Sequence, residues 1–394
     1  MSCIDVFEKY YSFAKLPTDN KFYNLKKENY ELVKKLYAEN ATELPTYPLR
    51  ATIQTTDFCN LNCIMCQIHS QRDKHKLQSM KKADFDLFAD KLFPYLVEVH
   101  PSNIGEPMIS EWFDYLCDKA IEYGVLLDIT SNGTLLTEKK IHKILPNLLD
   151  IKISFDGVQK DTFERIRKNA DYDVVVRNID NLLRLRETEK SKGTVTLQMT
   201  VFNFNFRELP DLIRFAKDKG VDRVKAYHVH SYSDDINKYS LFNDLQQFEE
   251  VRLQAIELAE QLDIELELSE PEVKNNATMD LIAQKCRLLW AEWFIDSDGA
   301  VYPCHTHNYI PLGNIFQDTP KEVWNSEYAI KLRKTPTDKA VCNDVICRNC
   351  GMNYLKHDEN QPVPYNKSDF LFNTSAENEP VKWNKRNRQF LINR

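Results

Sequence analysis

The stretch LLDITSNGTLLTEKKIHKILPNLLDIKISFDGVQKDTFERI, residues 126–166, runs through one pattern twice. A short β-rich run (LLDIT) ends in the polar turn Ser131-Asn132-Gly133-Thr134, and the amphipathic run TEKKIHKILPNLL follows it. A second short run (DIKIS) ends in Ser154-Phe155-Asp156-Gly157, ahead of the helical TFERI. Strand-length apolar runs alternating with longer runs of helical spacing predict parallel strands with helices outside the sheet. The alternation extends both ways. Before it come RATIQTT, SMKKADFDLFADKLFPYL, VEVHPSN and SEWFDYLCDKAIEYG; after it come VVVRNIDNLLRLRETEK, TVTLQMTVFN, ELPDLIRFAKDKG and DRVKAYHVH. About six such units fit between residues 49 and 235, with helices long enough for right-handed crossovers. That is fewer than a closed eight-stranded barrel needs. The expected class is α/β, a partial (β/α)6 TIM-like barrel, whose chemistry gathers at the carboxyl ends of its strands.

Four further segments flank that block. Residues 1–48, rich in Lys, Tyr and Asn, read as a helical extension, and 236–269 as a connecting helix and strand (FNDLQQFEEVRLQAIELAEQLDIELEL). Residues 270–356 read as a separate, small, cysteine-bearing α+β domain, and 357–394 as an irregular arm. A chain of 394 residues that is 42% hydrophobic can bury a sizeable core. Its formal net charge of −7 gives no general attraction to nucleic acid or anionic lipid, so neither is an expected partner. The amino terminus MSCIDVFEKYYSF lacks the pattern of a signal peptide, and no run approaches the roughly 18 apolar residues of a membrane span, so a cytoplasmic protein is expected. Ten unevenly spaced cysteines in such a chain point to metal or redox chemistry rather than to disulfides.

Three of them, Cys59, Cys63 and Cys66, follow the strand RATIQTT directly, on a loop at the carboxyl end of the first strand. A four-iron cluster takes four thiolates, and three leave one iron open to an outside ligand. A zinc knuckle completed by His69 is the alternative. The C-x3-C-x2-C spacing resembles that of the radical S-adenosylmethionine (SAM) superfamily, where the open iron binds the amino and carboxylate groups of SAM. Met65 stands where that family carries an aromatic residue, and a thioether can also cover an adenine face.

The resemblance extends to later motifs in chain order. Asn103-Ile104-Gly105-Glu106-Pro107 is similar to the family's Gly-Gly-Glu-Pro loop, which implies a close backbone approach at Gly105 and an acceptor for the SAM ammonium at Glu106. Ser131 and Asn132 fall where family members touch SAM with polar side chains, while Thr134 or Thr137 reads equally as a helix cap. The Ser154-x-Asp156-Gly157 element resembles one in which the serine bonds the SAM carboxylate, with Arg165 or Arg167 as guanidinium partner. Asn203 and Asn205 after the fifth strand, and Tyr227, His228 and His230 at the sixth, fall where the family contacts adenosine or substrate; loop bonding or core packing is the plainer role for each.

A second group begins at Cys286. WFIDSDGAVYPC reads as a hairpin turning at Asp298-Gly299 and ending at Cys304, followed by the helix KEVWNSEYAIKLRK and then Cys342, Cys347 and Cys350. By spacing, a four-cysteine zinc site is a rival. The arrangement resembles the SPASM and Twitch auxiliary-cluster domains of the same superfamily, with cysteines enough for one cluster, and in this it is similar to the aminocyclitol dehydrogenase of butirosin biosynthesis. The resemblance implies Cys286, Cys304, Cys347 and Cys350 as ligands of an auxiliary [4Fe-4S] cluster, with Cys342 spare. Cys117 lies on the apolar side of its helix and reads as inert core, and Cys3 has no assigned role.

The resemblance implies an enzyme that cleaves SAM reductively at a [4Fe-4S] cluster and uses the 5′-deoxyadenosyl radical to take a hydrogen atom from its substrate. An electron donor such as flavodoxin or ferredoxin is implied as a partner. The leading expectation is a small polar substrate, a sugar, aminocyclitol or nucleoside-like molecule that is oxidised or epimerised. Radical modification of a ribosomal peptide or protein is the alternative. A non-catalytic zinc or iron–sulfur scaffold is the alternative of another class.

Overall fold

A computed structural model describes residues 7–8, 10–66, 77–229, 236, 238–241, 244–268, 286–304 and 310–334, with the backbone of 382–384 and 389–391. His69, His230, Cys3, Cys342, Cys347 and Cys350 lie outside the described residues.

Helix α1 (Tyr23–Ala38) precedes the sheet, and the alternation then runs as read: β1 (Arg50–Ile53), α2 (Lys82–Leu92), β2 (Glu98–His100), α3 (Phe113–Tyr123), β3 (Leu126–Ser131), α4 (Glu138–Ile144) and β4 (Leu148–Ser154). It continues through α5 (Lys160–Ile166), α6 (Tyr172–Thr188), β5 (Thr194–Val201), α7 (Leu209–Lys219) and β6 (Arg223–His228). Local chemistry sets the helix ends. Thr137 caps α4 by accepting from the Lys140 N–H and Asp171 caps α6 by accepting from that of Val174, so Thr137 rather than Thr134 is the cap. Gly124 and Gly220 close α3 and α7 in the left-handed conformation.

Strands β1 to β6 pair in parallel in chain order. The structure carries the sheet further at both edges. The connecting segment is α8 (Leu245–Leu262) and β7 (Glu265–Leu268), and β7 pairs in parallel with β6, making a seventh unit of the same kind. On the other edge, α9 (Leu288–Ala291) leads into β8 (Glu292–Ile295), which pairs in parallel with β1 from Arg50↔Glu292 to Ile53↔Ile295. The hairpin partner β9 (Ala300–Tyr302) and β10 (Gly313–Asn314) extend it antiparallel. The cysteine-bearing hairpin expected in a separate domain is thus hydrogen-bonded into the barrel sheet. The physical reason is the open edge of β1, whose free N–H and C=O groups need a partner that local periodicity cannot reveal.

Two smaller expectations change. The single helix expected over KEVWNSEYAIKLRK is α10 (Pro320–Trp324) and α11 (Glu327–Lys334), broken at Asn325, whose side chain bonds both the N–H and the C=O of Leu44. The arm beyond 357, expected to be irregular, includes an antiparallel pair, β11 (Lys382–Asn384) with β12 (Gln389–Leu391).

Strand side chains alternate between two unlike faces. Val99, Ile129, Ile151, Ile153, Val195, Leu197 and Val224 are fully buried among the helices, with Phe85, Phe88, Phe113 and Cys117. The alternate positions line the barrel interior and are polar: Arg50, Thr52, Glu98, Asp128, Lys152, Thr196 and Gln198. At the floor Arg50 meets Glu98 at 3.3 Å and Asp128 at 2.6 Å, and Lys152 also pairs with Asp128. Ser12 donates its N–H to Glu98 at 2.7 Å, so the amino-terminal segment covers this floor, opposite the site described next.

Candidate active site

β1 ends at Ile53, and the next interior-facing residue, Gln54, fastens two loops together. Its Oε1 accepts from the N–H groups of Asn103 and Ile104 at 2.9 and 2.8 Å, and its Nε2 donates to the carbonyls of Thr56 and Ile104 at 2.6 and 2.8 Å. The loop after β2 therefore lies on the loop that carries the thiols. Gly105, at φ +80°, is where they touch: a Cβ there would stand 2.4 Å from the Thr56 carbonyl oxygen and 2.8 Å from that of Phe58. Only glycine suits that conformation and approach.

Glu106 then turns inward and is buried. One oxygen accepts from Ser131 Oγ at 2.9 Å and the Met108 N–H at 3.3 Å, the other from the Asn132 N–H at 2.8 Å. Burial pushes this carboxyl up, against the pull of the Asn132 and Ser131 bonds. A carboxylate has about four acceptor positions. Three protein donors leave room for one more.

The thiol loop is pinned to the end of α5, with Asn62 N–H bonded to the Lys168 carbonyl at 2.9 Å and Ile64 N–H to that of Ile166 at 3.0 Å. Each of two sulfurs has protein donors. Cys59 Sγ accepts from the Leu61 N–H at 3.5 Å and from Asn132 Nδ2 at 3.8 Å, and Cys63 Sγ from an Arg167 Nη at 3.8 Å. Among the described residues no three His, Cys, Asp or Glu side chains gather around a single point for a metal ion. Burial pushes the Cys59 and Cys63 thiols up, so their thiolates depend on positive charge placed beside them.

Arg167 supplies part of that charge. It is buried, with its Nε 2.7 Å from Asp156, and although burial opposes its charge, Asp156 together with Cys63 and Tyr227 outweighs that effect and holds it protonated. Asp156, expected at the cofactor, in turn accepts from the Thr200 N–H at 2.6 Å and is fully buried beside Arg167. Asn205, expected beside adenosine, is a loop fastener: its Nδ2 donates to the carbonyls of Asp156 and Thr200 at 2.8 and 2.9 Å, and its Oδ1 accepts from the Phe202 N–H at 2.7 Å. Arg165 lies outward over the Phe204 ring at 3.9 Å, leaving Arg167 as the inward guanidinium. Asn203 bonds the Lys238 carbonyl, and the His228 ring lies edge-on to Phe248 of α8.

The remaining expected residues cluster at the strand ends. Ser154 is buried at the end of β4 opposite Gln198, and Tyr227 accepts from Gln198 Nε2 at 3.2 Å. Met65 packs with Ile64 against Ile166, Phe202, Val229 and Ile236, an apolar cluster at the barrel mouth. Gln54 and Asn178, whose Nδ2 donates to the Gly133 and Thr134 carbonyls at 2.8 and 3.3 Å, were not read from sequence. Gln54 carried a signal, since it continues the interior alternation of Arg50 and Thr52. In the second group, Cys286 and Cys304 are partly exposed at the start and end of the β8–β9 hairpin segment.

At its carboxyl end the barrel sheet thus gathers a three-thiol loop, a buried carboxylate and a buried guanidinium. The Radical SAM superfamily model matches residues 53–216, and the SPASM iron–sulfur cluster-binding domain model matches 286–351. The chain carries a radical SAM domain followed by a SPASM iron–sulfur domain, and the two imply [4Fe-4S] clusters and SAM. The donors on Cys59 and Cys63 and the open position on Glu106 fit these groups.

The chain is 24% identical over 307 residues (70% of this chain, 80% of the relative) to the tungsten-containing aldehyde ferredoxin oxidoreductase cofactor-modifying protein of Pyrococcus furiosus. It is 26% identical over 324 residues (78% and 68%) to the antilisterial bacteriocin subtilosin biosynthesis protein AlbA of Bacillus subtilis. It is 26% identical over 295 residues (72% and 78%) to the PqqA peptide cyclase of Gluconobacter oxydans. Among solved structures, Streptococcus suis SuiB bound to S-adenosylmethionine shares the fold, with a TM-score of 0.58 at 16% identity over 82% of this chain and 76% of SuiB. No helix among the described residues is long and apolar enough to cross a membrane.

Proposed function

We propose that the chain is a radical SAM enzyme that modifies a ribosomally made peptide or protein. The observation that carries the SAM chemistry is the pairing of a buried carboxylate, Glu106, with a buried guanidinium, Arg167, on the two sides of the Cys59–Cys66 loop. Cys59, Cys63 and Cys66 hold the first cluster, Glu106 receives the ammonium of SAM beside Ser131 and Asn132, and Ser154 receives its carboxylate. Met65 and the apolar cluster around it cover the adenine, and Tyr227 with Gln198 faces the substrate. When bound, the cluster and SAM would supply one-electron chemistry for hydrogen-atom abstraction from the substrate. Arg167 keeps positive charge beside Cys63, and Asp156 keeps Arg167 in place. Cys286, Cys304, Cys347 and Cys350 hold one auxiliary cluster.

Similarity to AlbA and to PqqA peptide cyclase, over more than two thirds of each, supports a peptide substrate over the small polar molecule that the cysteine pattern first suggested. A small-molecule substrate is the second reading, favoured by the Pyrococcus furiosus relative named for modifying a cofactor. The reconstituted protein, given SAM and a strong reductant, is expected to release 5′-deoxyadenosine, and release should rise with the peptide fraction of a producing-cell extract. A rise only with the low-mass filtrate would establish the small-molecule reading. No 5′-deoxyadenosine with the first cluster present would overturn the enzyme reading itself.

A further inference from the structure

Neither family match reaches the amino-terminal segment, residues 7–48, yet that segment is built into the approach to Cys286. Arg287, the next residue, lays its guanidinium over the Tyr10 ring at 3.6 Å and stands 3.8 Å from Glu292. Glu292 also accepts from the Tyr11 hydroxyl at 2.9 Å. One turn on, Trp290 donates its indole N–H to the Ala41 carbonyl at 2.8 Å, and Tyr37 of α1 meets its ring edge-on at 5.6 Å. Arg333 of α11 ties the two together from behind, donating to the Leu289 carbonyl at 2.8 Å and the Thr42 carbonyl at 2.9 Å. Four side chains from outside, those of Tyr10, Tyr11, Tyr37 and Arg333, thus hold residues 287–292, and Trp290 itself reaches Ala41, so each contact leads, directly or through one residue, to the amino-terminal segment. A ligand is only as well placed as the backbone that carries it, and precise placement comes from neighbours with locked side chains.

We propose that the amino-terminal segment is the positioning element for Cys286, acting through Arg287, Glu292 and Trp290. Tyr10 and Tyr11 are positioning residues in this sense: they act on Arg287 and Glu292, and through these and β8 they set where the Cys286 thiol stands relative to the barrel sheet. The proposal rests on the reading of Cys286 as an auxiliary-cluster ligand, and its tests separate the two.

The full-length protein with Cys59, Cys63 and Cys66 changed to Ala is expected to retain about four irons, those of the auxiliary cluster alone. Adding Tyr10→Leu and Tyr11→Phe to that background should remove more than half of the remaining iron or change the electron paramagnetic resonance spectrum of the reduced cluster. In the chain with its first cysteine group intact, the same two changes should leave 5′-deoxyadenosine formation in place, which shows that the barrel is folded. Unchanged iron and an unchanged spectrum would overturn the proposal. A background protein that holds no iron would instead sink the auxiliary-cluster reading, and a second measurement then decides. In the full-length apoprotein, alkylation of Cys286 by iodoacetamide, followed by peptide mass mapping, should be several-fold faster with Tyr10→Leu and Tyr11→Phe than without. Arg287→Lys, which keeps the charge and loses the planar stack, should raise the rate in the same direction. Equal rates in all three proteins would overturn the proposal.

Discussion

Gly105→Ala tests whether the loop after β2 sets the position of the thiols. At φ +80° an alanine bears the left-handed penalty, about 1–2 kcal/mol. Its Cβ would also stand 2.4 Å from the Thr56 oxygen, 2.8 Å from that of Phe58 and 3.2 Å from the Asp57 carbonyl carbon. All three are backbone atoms, so no rotamer change relieves the overlap, and overpacking of this kind costs typically 1–3 kcal/mol. The sum is about 2–5 kcal/mol, and the loop that must shift to reduce it is the one leading into Cys59. Gly220→Ala is the control. It has the same φ of +80° with no atom within 4 Å of the added methyl, so it should show only the penalty of about 1–2 kcal/mol. Stability is read from urea unfolding of the apoproteins, and site integrity from iron per chain and 5′-deoxyadenosine formation after reconstitution. Gly105→Ala should lose the first cluster's share of the iron together with SAM cleavage, while Gly220→Ala keeps both. A Gly105→Ala protein with the iron, turnover and stability of the Gly220→Ala control would refute the argument that these two loops are locked together.

Four further outcomes are expected. Arg167→Gln leaves Asp156 buried without its cation, and breaking such a pair costs about 3–5 kcal/mol; SAM cleavage should fall at least ten-fold, and a variant that cleaves SAM normally would exclude Arg167 from the site. Asn178→Ala takes a side-chain donor from the Gly133 and Thr134 carbonyls, with an expected loss of about 1–3 kcal/mol in urea unfolding and no loss of iron. Cys117→Ala should leave iron and SAM cleavage unchanged, because the thiol is fully buried among Phe113, Leu116 and Ala120; any loss of iron would contradict its inert role. Burial pushes the Glu98 carboxyl up to about 7 from 4.5, so the folded chain keeps a proton there that the unfolded chain has released. That group's contribution to stability is complete below pH 4.5 and is lost as pH rises through 7, so Glu98→Gln should flatten the fall in melting temperature across this window, and parallel profiles would refute the assignment.

The barrel was legible because its signals are local. LLDIT and DIKIS, each followed by a turn and an amphipathic run, carry their strand and helix character in their own side chains, and β3, α4 and β4 formed where those runs lie. The place of the three thiols was legible for the same reason, since Cys59, Cys63 and Cys66 share one short stretch directly after β1. Gly105 and Glu106 were legible as residue types, and so was a close backbone approach at Gly105, but not that its partners are the carbonyls of Thr56 and Phe58.

What the tertiary structure decided is whatever depends on two distant segments meeting. The parallel pairing of β8 with β1, which brings the hairpin of the second cysteine group into the barrel sheet, has no signature in either strand alone. Arg165 and Arg167 are near neighbours of one composition, and only the packed barrel sends one over Phe204 and the other to Asp156 and Cys63. Asn205 carries the same amide in sequence whether it meets a ligand or two carbonyls, and folding gave it the carbonyls. A sequence determines period, turn chemistry and ligand spacing, because these act over a few residues. Edge pairing, the inward or outward turn of a side chain and the hold of Tyr10 and Tyr11 on the approach to Cys286 arise from contacts between segments far apart in the chain, and those exist only once the sheet has closed them together.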